Sequence, residues 1–467
     1  MSEPRGAVAP ALSGQHRMTG GESRELAERF RPVFDKIAQG ATTREADRTL
    51  PYDQVSWLRE AGFGKIRVPR AHGGLGATLP QFFRVLIELG QADSNLPQLL
   101  RGHFGFVETR LAHPDPAVRD RWLRAVADGV IIGNAQSELG NQSFRDSATT
   151  ITEAPNGTGW RLRGRKFYST GSLFADWIYT TATIDAGRSA TVLVPGSAPG
   201  VRRLDDWDGF GQRLTGSGTT VFDDVEIAPE NVEPYDNDQL PKSYPTAFFQ
   251  LVHLATLSGI GRAAVSEAVA FTRQRQRNLA SPAYPAPKDD PLVQSVIGRI
   301  ASASFAADAT TLAAVDAVEE ASQAEAAGDA TPELPDRAEA AVYAAQGQVI
   351  ALVLGLVTEL FEVGGSSAVT ERFRLDRHWR NARTLASHNP VIYRDRIVGD
   401  YLLNGTSPRP QLARGLAPQL ARGGEHSQDG LPRPAPRRPP PRQSERKTVS
   451  GAGPEDRRWP ASGPDGR

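Results

Sequence analysis

The spacing of apolar residues changes twice along the chain, and this order limits the possible folds more than any other feature. Residues 22–130 and 239–406 have apolar side chains about every 3.6 residues, which is the period of a helix. Residues 131–238 instead contain short β-prone runs separated by turn residues, which predicts strands. Because the patterns are segregated, the sequence predicts an α+β protein with a helical domain on each side of a small antiparallel β-barrel or sandwich.

Composition excludes several classes of function. The 467 residues allow two or three domains, and 54 basic against 54 acidic residues give no net charge that would favour nucleic acid or an acidic membrane. The chain has no cysteine, and none of its eight histidines stands in metal-ligand spacing with another. With no signal peptide and no apolar run of about 18 residues, we expect a cytoplasmic protein that contains no metal.

Both ends of the chain are poor in core-forming residues. Residues 1–21 are a predicted disordered leader. Residues 407–467 are rich in Pro, Arg, Gly and Ser, and their apolar side chains are too few to offset the entropy of ordering. We expect a disordered tail, with a proline-rich ligand for a partner domain as the alternative.

Two predicted strand ends contain most of the hydrogen-bonding chemistry. They are residues 131–138 and 166–171, and each places hydroxyl or amide side chains near a glycine. Asn134, Ser137 and Ser169 could donate to the edge of a flat polar ring such as an isoalloxazine, and Phe167 could form its wall. The alternative is that these are ordinary turn residues at strand ends.

Residues 135–139 (AQSEL) and 167–170 (FYST) resemble the two flavin-binding segments of the acyl-CoA dehydrogenase superfamily. Residues 68–76 (VPRAHGGLG), followed by a helix that ends in Ala92-Asp93, are similar to the N-terminal domain of the same superfamily. The resemblance implies an N-terminal α-helical domain (22–130), a middle β-barrel domain (131–238) and a C-terminal four-helix bundle (239–406).

A dehydrogenase of this superfamily needs a glutamate that removes the α-proton of its thioester. In the segment 359–389, which resembles that region, Asn389 falls at or beside the base position, and the alternative position falls near Val252-His253. An amide does not accept a proton at neutral pH. The chain therefore lacks the base of a dehydrogenase and has His388 in its place.

With a histidine in place of the catalytic glutamate, the chain resembles the two-component flavin-dependent monooxygenases of the superfamily. Dibenzothiophene monooxygenases and sulfur-acquisition oxidoreductases form this branch. The resemblance implies reduced FMN, with FAD as the alternative, supplied by a separate NAD(P)H:flavin reductase. It also implies a C4a-hydroperoxyflavin that oxygenates a small apolar substrate, an organosulfur compound first of all. His388, Ser169 and His103 are the expected catalytic residues, and the expected assembly is a homotetramer.

The same resemblance suggests further contacts with cofactor and substrate. Arg275 would hold a flavin phosphate, and Gly364 with Gly365 would bind cofactor across a subunit interface. Trp207, Ser217 and Asn389 would border the substrate. Each residue also has a purely structural alternative. Arg275 could lie on a solvated helix face, Trp207 could be a buried core residue, Ser217 could be an ordinary turn residue, and His103 could be a core histidine whose hydrogen bonds are satisfied.

The chain also departs from the dibenzothiophene branch. Leu385 and Asn389 stand where that branch has a histidine and an aspartate, and Val107 stands near the place of a tyrosine. We therefore expect a less polar pocket and an altered substrate. The alternative functions are an acyl-CoA dehydrogenase with a displaced base, an N- or aromatic hydroxylase of the same branch, and a flavin-binding protein without turnover.

Overall fold

The computed structural model describes residues 21–139, 148–155, 157–185, 188–236, 244–277 and 283–409. The predicted leader, apart from its last residue, and the predicted tail beyond residue 409 lie outside these ranges. The first residues of that tail belong to the folded body, because Ser407 and Arg409 both hydrogen-bond to the carboxylate of Asp336. The packed domain therefore extends past the predicted boundary at residue 406.

The N-terminal domain is helical, as the apolar spacing predicted. The fourth helix begins at a reciprocal cap. The Thr78 hydroxyl accepts a hydrogen bond from the backbone N–H of Gln81, and Gln81 Oε1 accepts one from the backbone N–H of Thr78, which fixes the first turn. The helices are α1 Gly21–Gln39, α2 Ala41–Asp47, α3 Tyr52–Glu60, α4 Leu79–Ala92, α5 Asn95–Leu111 and α6 Pro116–Ala127.

The middle domain is an eight-stranded sheet with the order β6-β7-β3-β2-β4-β5-β8, and β1 pairs with β4 beside this path. The sheet is mixed rather than purely antiparallel, because β1 and β2 both run parallel to β4. The strands are β1 Ile132–Ala135, β2 Thr150–Glu153, β3 Trp160–Lys166, β4 Trp177–Asp185, β5 Arg188–Pro195, β6 Val201–Arg203, β7 Thr220–Ile227 and β8 Val232–Asp236.

The C-terminal domain is a helical bundle around α7, which packs on α8, α9 and α10 of its own domain and on α4 and α5 of the N-terminal domain. The last helical stretch of the chain is broken in two at Ser387–Pro390, because proline lacks the N–H that a continuing helix requires. The helices are α7 Pro245–Gln274, α8 Pro291–Ala327, α9 Glu333–Glu359, α10 Asp376–Ala386 and α11 Arg394–Asn404.

Two helical stretches are long and apolar enough to cross a membrane by length and composition alone, namely α7 and residues 333–363. Inside the protein, 78% of the most apolar window of α7 is buried, against 56% of the window in the second stretch. The apolar character of α7 is therefore explained by its central place in the bundle.

The close approach of α5 to α7 depends on a glycine. A Cβ at Gly105 would lie 1.9 Å from the ring of Phe249. We expect Gly105→Ala to lower the free energy of unfolding by about 1–3 kcal/mol, because the ring must move to admit the methyl group. The matched change Gly298→Ala on α8, where a Cβ meets nothing within 4 Å, should be neutral or stabilising by up to about 1 kcal/mol. Equal effects of the two changes in urea denaturation would contradict this.

Candidate functional site

Helix α5 connects the strand ends to the C-terminal bundle. Gln98, Arg101, Gly102 and Gly105 lie on one face of it, since they are spaced three and four residues apart. A Cβ at Gly102 would lie 2.6 Å from the Cβ of Asn134 on β1, and Gly105 packs on α7. This face of α5 therefore borders both β1 and the first turns of α7.

The two predicted flavin-binding segments lie side by side. The backbone N–H of Phe167 donates to the carbonyl of Ser137 at 2.8 Å, and the N–H of Asn134 donates to the carbonyl of Thr170 at 3.3 Å. The side chain of Ser169 is fully buried, and its Oγ has no hydrogen-bond partner. An unsatisfied buried hydroxyl costs about 1–3 kcal/mol, which is offset when a ligand supplies the missing partner. The strand ends therefore fit the polar edge of a flavin ring.

A pair of histidines lies within reach of the charge of Arg101 on α5. His388 lies in the break between α10 and α11, and its ring centroid is 4.3 Å from that of His253 on α7. Desolvation, aided by the charge of Arg101, lowers the pKa of His388 to about 3 and that of His253 well below its ordinary value. As a residue, His388 is nevertheless exposed at the surface of the single chain. We infer a recess walled by protein, in which both imidazoles are neutral at pH 7.

Amide groups stand at the positions where a dehydrogenase would need a carboxylate. Asn389 Nδ2 donates to Gln250 Oε1 on α7 at 2.9 Å. In the described part of the chain, no Asp or Glu side chain hydrogen-bonds to His253, His388 or Asn389. The described residues around the histidine pair therefore offer neutral hydrogen-bonding groups and no carboxylate base.

Arg101 is a charged residue of the site that the sequence did not predict. Its Nε donates to the carbonyl of Phe249 at 3.0 Å, and its guanidinium lies 4.9 Å from the Phe249 ring centroid. Desolvation lowers its pKa to about 10, so it remains a cation at pH 7. The only sequence signal was an arginine next to a glycine within an apolar helix.

The structure places Val107 away from the histidine pair. Val107, which was compared with a tyrosine of the dibenzothiophene branch, is buried in the N-terminal core with Val68 and Leu123 and does not border the histidines. The residues that do border them include Arg101, whose charge acts on both rings. The expectation of a less polar pocket therefore no longer depends on Val107, and it stays a prediction.

The predicted phosphate-binding residues come together far from the recess. Arg275 Nη1 donates to the carbonyl of Val363 at 2.9 Å, directly before Gly364 and Gly365. Arg275 follows the last turn of α7, and the helical rise places it about 33 Å along the axis from His253. In one chain these residues cannot reach a flavin that is bound at the recess.

Two family models match the chain: "Acyl-CoA dehydrogenase, N-terminal domain" over residues 21–130 and "Acyl-CoA dehydrogenase, C-terminal domain" over residues 251–392. The dibenzothiophene monooxygenase of Mycolicibacterium goodii is 30% identical over 406 residues, which cover 83% of this chain and 94% of that protein. The chain belongs to the acyl-CoA dehydrogenase family.

Other relatives within this acyl-CoA dehydrogenase family carry a monooxygenase name. The probable FMNH2-dependent monooxygenase SfnC of Pseudomonas putida is 28% identical over 403 residues, covering 83% of this chain and 95% of that protein. The crystal structure of FMN-bound TdsC from Paenibacillus sp. A11-2 has a TM-score of 0.76 at 28% identity and covers 83% of this chain and 100% of that one. The predicted family and three-part fold are confirmed.

In this family member, His103 holds the N-terminal domain to the sheet. Its Nε2–H donates to the carbonyl of Gly64 at 2.8 Å, and its Nδ1 accepts from the backbone N–H of Ile132 at 3.2 Å. The ring is fully buried. Because both nitrogens are engaged by backbone groups, the geometry argues against the catalytic role suggested by the sequence, and we assign His103 a positioning role.

Stability is expected to fall as the pH is lowered from 7 to 4. Burial lowers the pKa of His103 to about 4, whereas the unfolded chain takes up this proton near pH 6.5. The contribution is therefore fully present above about pH 6.5 and is lost toward pH 4, on the order of 3 kcal/mol for this one group. Urea denaturation at pH 7, 6 and 5 measures it. His103→Asn should be less stable at pH 7 but less sensitive to pH, and an unchanged slope would contradict the assignment.

The predicted substrate-binding residues Trp207 and Ser217 lie on the loop between β6 and β7. Ser217 Oγ is 2.8 Å from Thr170 Oγ1 and 2.6 Å from Thr215 Oγ1, so its hydroxyl is satisfied within the protein. Trp207 is partly exposed and meets the ring of Tyr168 edge-on at 5.9 Å. Ser217 is therefore bonded within the protein, and Trp207 remains a candidate contact for the substrate at the surface of this loop.

Proposed function

We propose that the protein is a monooxygenase that uses reduced FMN and O2 to oxygenate a small organosulfur compound. The observation that carries this proposal is the buried, unpartnered hydroxyl of Ser169 in the second of the two segments that resemble flavin-binding segments. The neutral rings of His253 and His388, whose centroids are 4.3 Å apart, provide further hydrogen-bonding groups. The family members named as dibenzothiophene and FMNH2-dependent monooxygenases support the same activity. Reduced FMN, when bound, activates O2 and supplies one oxygen atom to the substrate.

The strand ends would hold the flavin ring. Ser169, Asn134 and Ser137 would hydrogen-bond to its polar edge, and Phe167 would pack against it. Two structures of the related TdsC contain FMN, which supports FMN over FAD. Arg275, with Gly364 and Gly365 beside it, would contact the phosphate end from a second copy of the chain, because Arg275 lies too far along α7 to do so within one copy.

His388 would present a neutral ring to the reacting oxygen. Because its pKa is about 3, one ring nitrogen holds a proton and can donate a hydrogen bond throughout the neutral range, while the other can accept a hydrogen bond. His253 limits the movement of the ring. Asn389, whose side chain donates a hydrogen bond to Gln250, would hold the backbone next to His388 in place.

Product analysis tests the proposal. The protein is mixed with a flavin reductase, NADH, FMN and a panel of organosulfur compounds under ¹⁸O₂. We expect a substrate that gains one labelled oxygen atom. Bleaching of tightly bound flavin by an acyl-CoA thioester would instead favour the dehydrogenase alternative, and conversion of all O2 to H2O2 with every compound would favour a flavin-binding protein without turnover.

The proposal includes a separate reductase, a cytoplasmic location and a homotetramer. Self-association is supported by large apolar side chains that remain exposed on the C-terminal domain of the single chain, including Leu292, Phe305, Leu402 and Leu403. Exposed apolar area of this kind is typical of surfaces that are covered by a partner.

Arg275→Gln is expected to weaken the binding of FMN about tenfold, since a charge-assisted contact to phosphate is lost, and to leave the binding of riboflavin unchanged. Fluorescence titration measures both affinities. Arg277→Gln, an exposed change two residues further on, is the matched control. In mixed oligomers of Arg275→Gln and Ser169→Ala subunits, a fraction of tight FMN sites should return. Some shared sites would then combine the intact Ser169 of one subunit with the intact Arg275 of the other. An equal loss for riboflavin, or no recovery in the mixture, would contradict a shared site.

A further inference from the structure

We propose that Asn381 is a positioning residue of this site: by holding the loop between β6 and β7 against α10, it fixes where His388 stands relative to Ser169. This inference rests on the proposed monooxygenase function. It adds a residue that acts through its neighbours, whereas Ser169 and His388 would act on the flavin and on the reacting oxygen directly.

The loop between β6 and β7, residues 204–219, is bonded near its end to the second predicted flavin-binding segment. The carbonyl of Gly218 accepts a hydrogen bond from the backbone N–H of Ser169 at 3.0 Å. The carbonyl of Thr215 accepts one from the backbone N–H of Gly171, also at 3.0 Å. A displacement of this loop would therefore also displace the backbone of Ser169.

The middle of the same loop is bonded to helix α10. The backbone N–H of Gln212 donates to Asn381 Oδ1 at 2.6 Å, and the carbonyl of Phe210 accepts a hydrogen bond from Arg380 Nη1 at 3.0 Å. A Cβ at Gly211 would lie 2.1 Å from the carbonyl oxygen of Arg380, so the loop lies directly against the helix backbone. The loop therefore connects the strand end that carries Ser169 to α10.

Helix α10 in turn carries the backbone of His388. The N–H of His388 donates to the carbonyl of Leu385 at 3.1 Å, and the N–H of Ser387 donates to the carbonyl of Arg383 at 3.1 Å. Leu385 lies about one turn after Asn381 on the same helix. Because a helix is a rigid element that can carry coupling between sites, the contact at Asn381 bears on the position of His388.

The hydrogen bond between Gln212 and Asn381 is the buried part of this contact, whereas the bond between Arg380 and Phe210 lies at the surface. Gln212 and Asn381 are 2% and 4% exposed. The φ of Gln212 is 51°, an uncommon conformation for a residue with a side chain. A buried N–H that loses its acceptor is costly. Without Asn381 Oδ1, the loop and α10 would shift until this N–H found another partner.

Two substitutions of Asn381 separate its hydrogen bond from its bulk. Asn381→Leu keeps a side chain of similar size and removes the acceptor, whereas Asn381→Asp keeps an acceptor oxygen. The matched control is Asn231→Leu. Asn231 is also buried where two domains meet, and its Oδ1 accepts a hydrogen bond from Arg121 Nη2 at 2.8 Å. Urea denaturation first shows that each variant is folded.

Hydrogen exchange of the FMN-free protein is the first readout. We expect peptides that cover residues 387–393 to exchange about tenfold faster in Asn381→Leu, and at the wild-type rate in Asn381→Asp and Asn231→Leu. The second readout is the ratio of oxygenated product to H2O2 at saturating reduced FMN. It should fall about tenfold or more in Asn381→Leu alone, because a small misplacement of a catalytic group is costly. The affinity for FMN should change by less than about threefold.

Unchanged exchange in Asn381→Leu, or an equal loss of product in Asn231→Leu or Asn381→Asp, would overturn the proposal. Faster exchange with an unchanged ratio of product to H2O2 would also overturn it, because the contact would then be structural only. A loss of FMN affinity as large as the loss of product would show that Asn381 acts on the flavin rather than through His388. Failure of the proposed function looks different: the wild type then oxygenates no compound, while exchange at residues 387–393 still responds to Asn381→Leu.

Discussion

Replacing His388 by alanine is expected to lower the yield of oxygenated product by about 100-fold or more, the range in which a positioned acid or base acts. Consumption of reduced FMN and O2 should continue and end in H2O2. The reason is that His388, which packs at a tilt against His253, can donate a hydrogen bond to the reacting oxygen, whereas the contacts proposed for the flavin ring lie on the strand ends. The ratio of product to H2O2, measured at saturating reduced FMN, reports this uncoupling.

His72→Ala is the matched control for this change. His72 lies in the N-terminal domain, where its Nε2 is 3.1 Å from the carboxylate of Asp120, and its loss should leave coupling unchanged. The pH profile is a second test. With a pKa of about 3, His388 stays neutral from pH 5 to 8 and should add no inflection near 6.5. An inflection that disappears in His388→Ala would show that the ring titrates normally and that the recess does not desolvate it.

Ser169→Ala is expected to separate stability from binding. The hydroxyl is fully buried and has no protein partner, so its removal should leave the FMN-free protein equally stable or raise its free energy of unfolding by about 1 kcal/mol. The affinity for FMN should fall by about 10- to 100-fold, because the flavin loses a buried hydrogen bond. Urea denaturation without FMN and fluorescence titration with FMN measure the two effects.

Ser217→Ala is the control from the same part of the chain, and its expected signature is the reverse. Ser217 Oγ lies between the hydroxyls of Thr170 and Thr215. Its loss should destabilise the FMN-free protein by about 1–2 kcal/mol and leave the affinity for FMN unchanged. A Ser169→Ala variant that is destabilised and binds FMN normally would show that the hydroxyl has a protein partner and no ligand.

The order of the domains was predictable because each periodic pattern is local. Helix α4 was predicted from apolar spacing, and it ends at the predicted residue, Ala92. Residues 131–138 and 166–171 were both expected to hold a flavin ring, and in the structure the backbone N–H of Phe167 donates to the carbonyl of Ser137. The individual strands were less predictable, since short ones such as β2, β6 and β8, of three to five residues, depend on their neighbours in the sheet more than on their own sequence.

By itself, the sequence determined the three-part α+β order, the resemblance to the acyl-CoA dehydrogenase family and the absence of a glutamate at the positions of the catalytic base. The tertiary structure alone decided what each polar residue does. His103 and His388 are the same residue type, but His103 bonds to backbone groups 39 and 29 residues away, while His388 meets His253 and the charge of Arg101. Hydrogen-bond partners and charges of this kind are distant in sequence, so no local pattern predicts which imidazole is satisfied and which is open to a ligand.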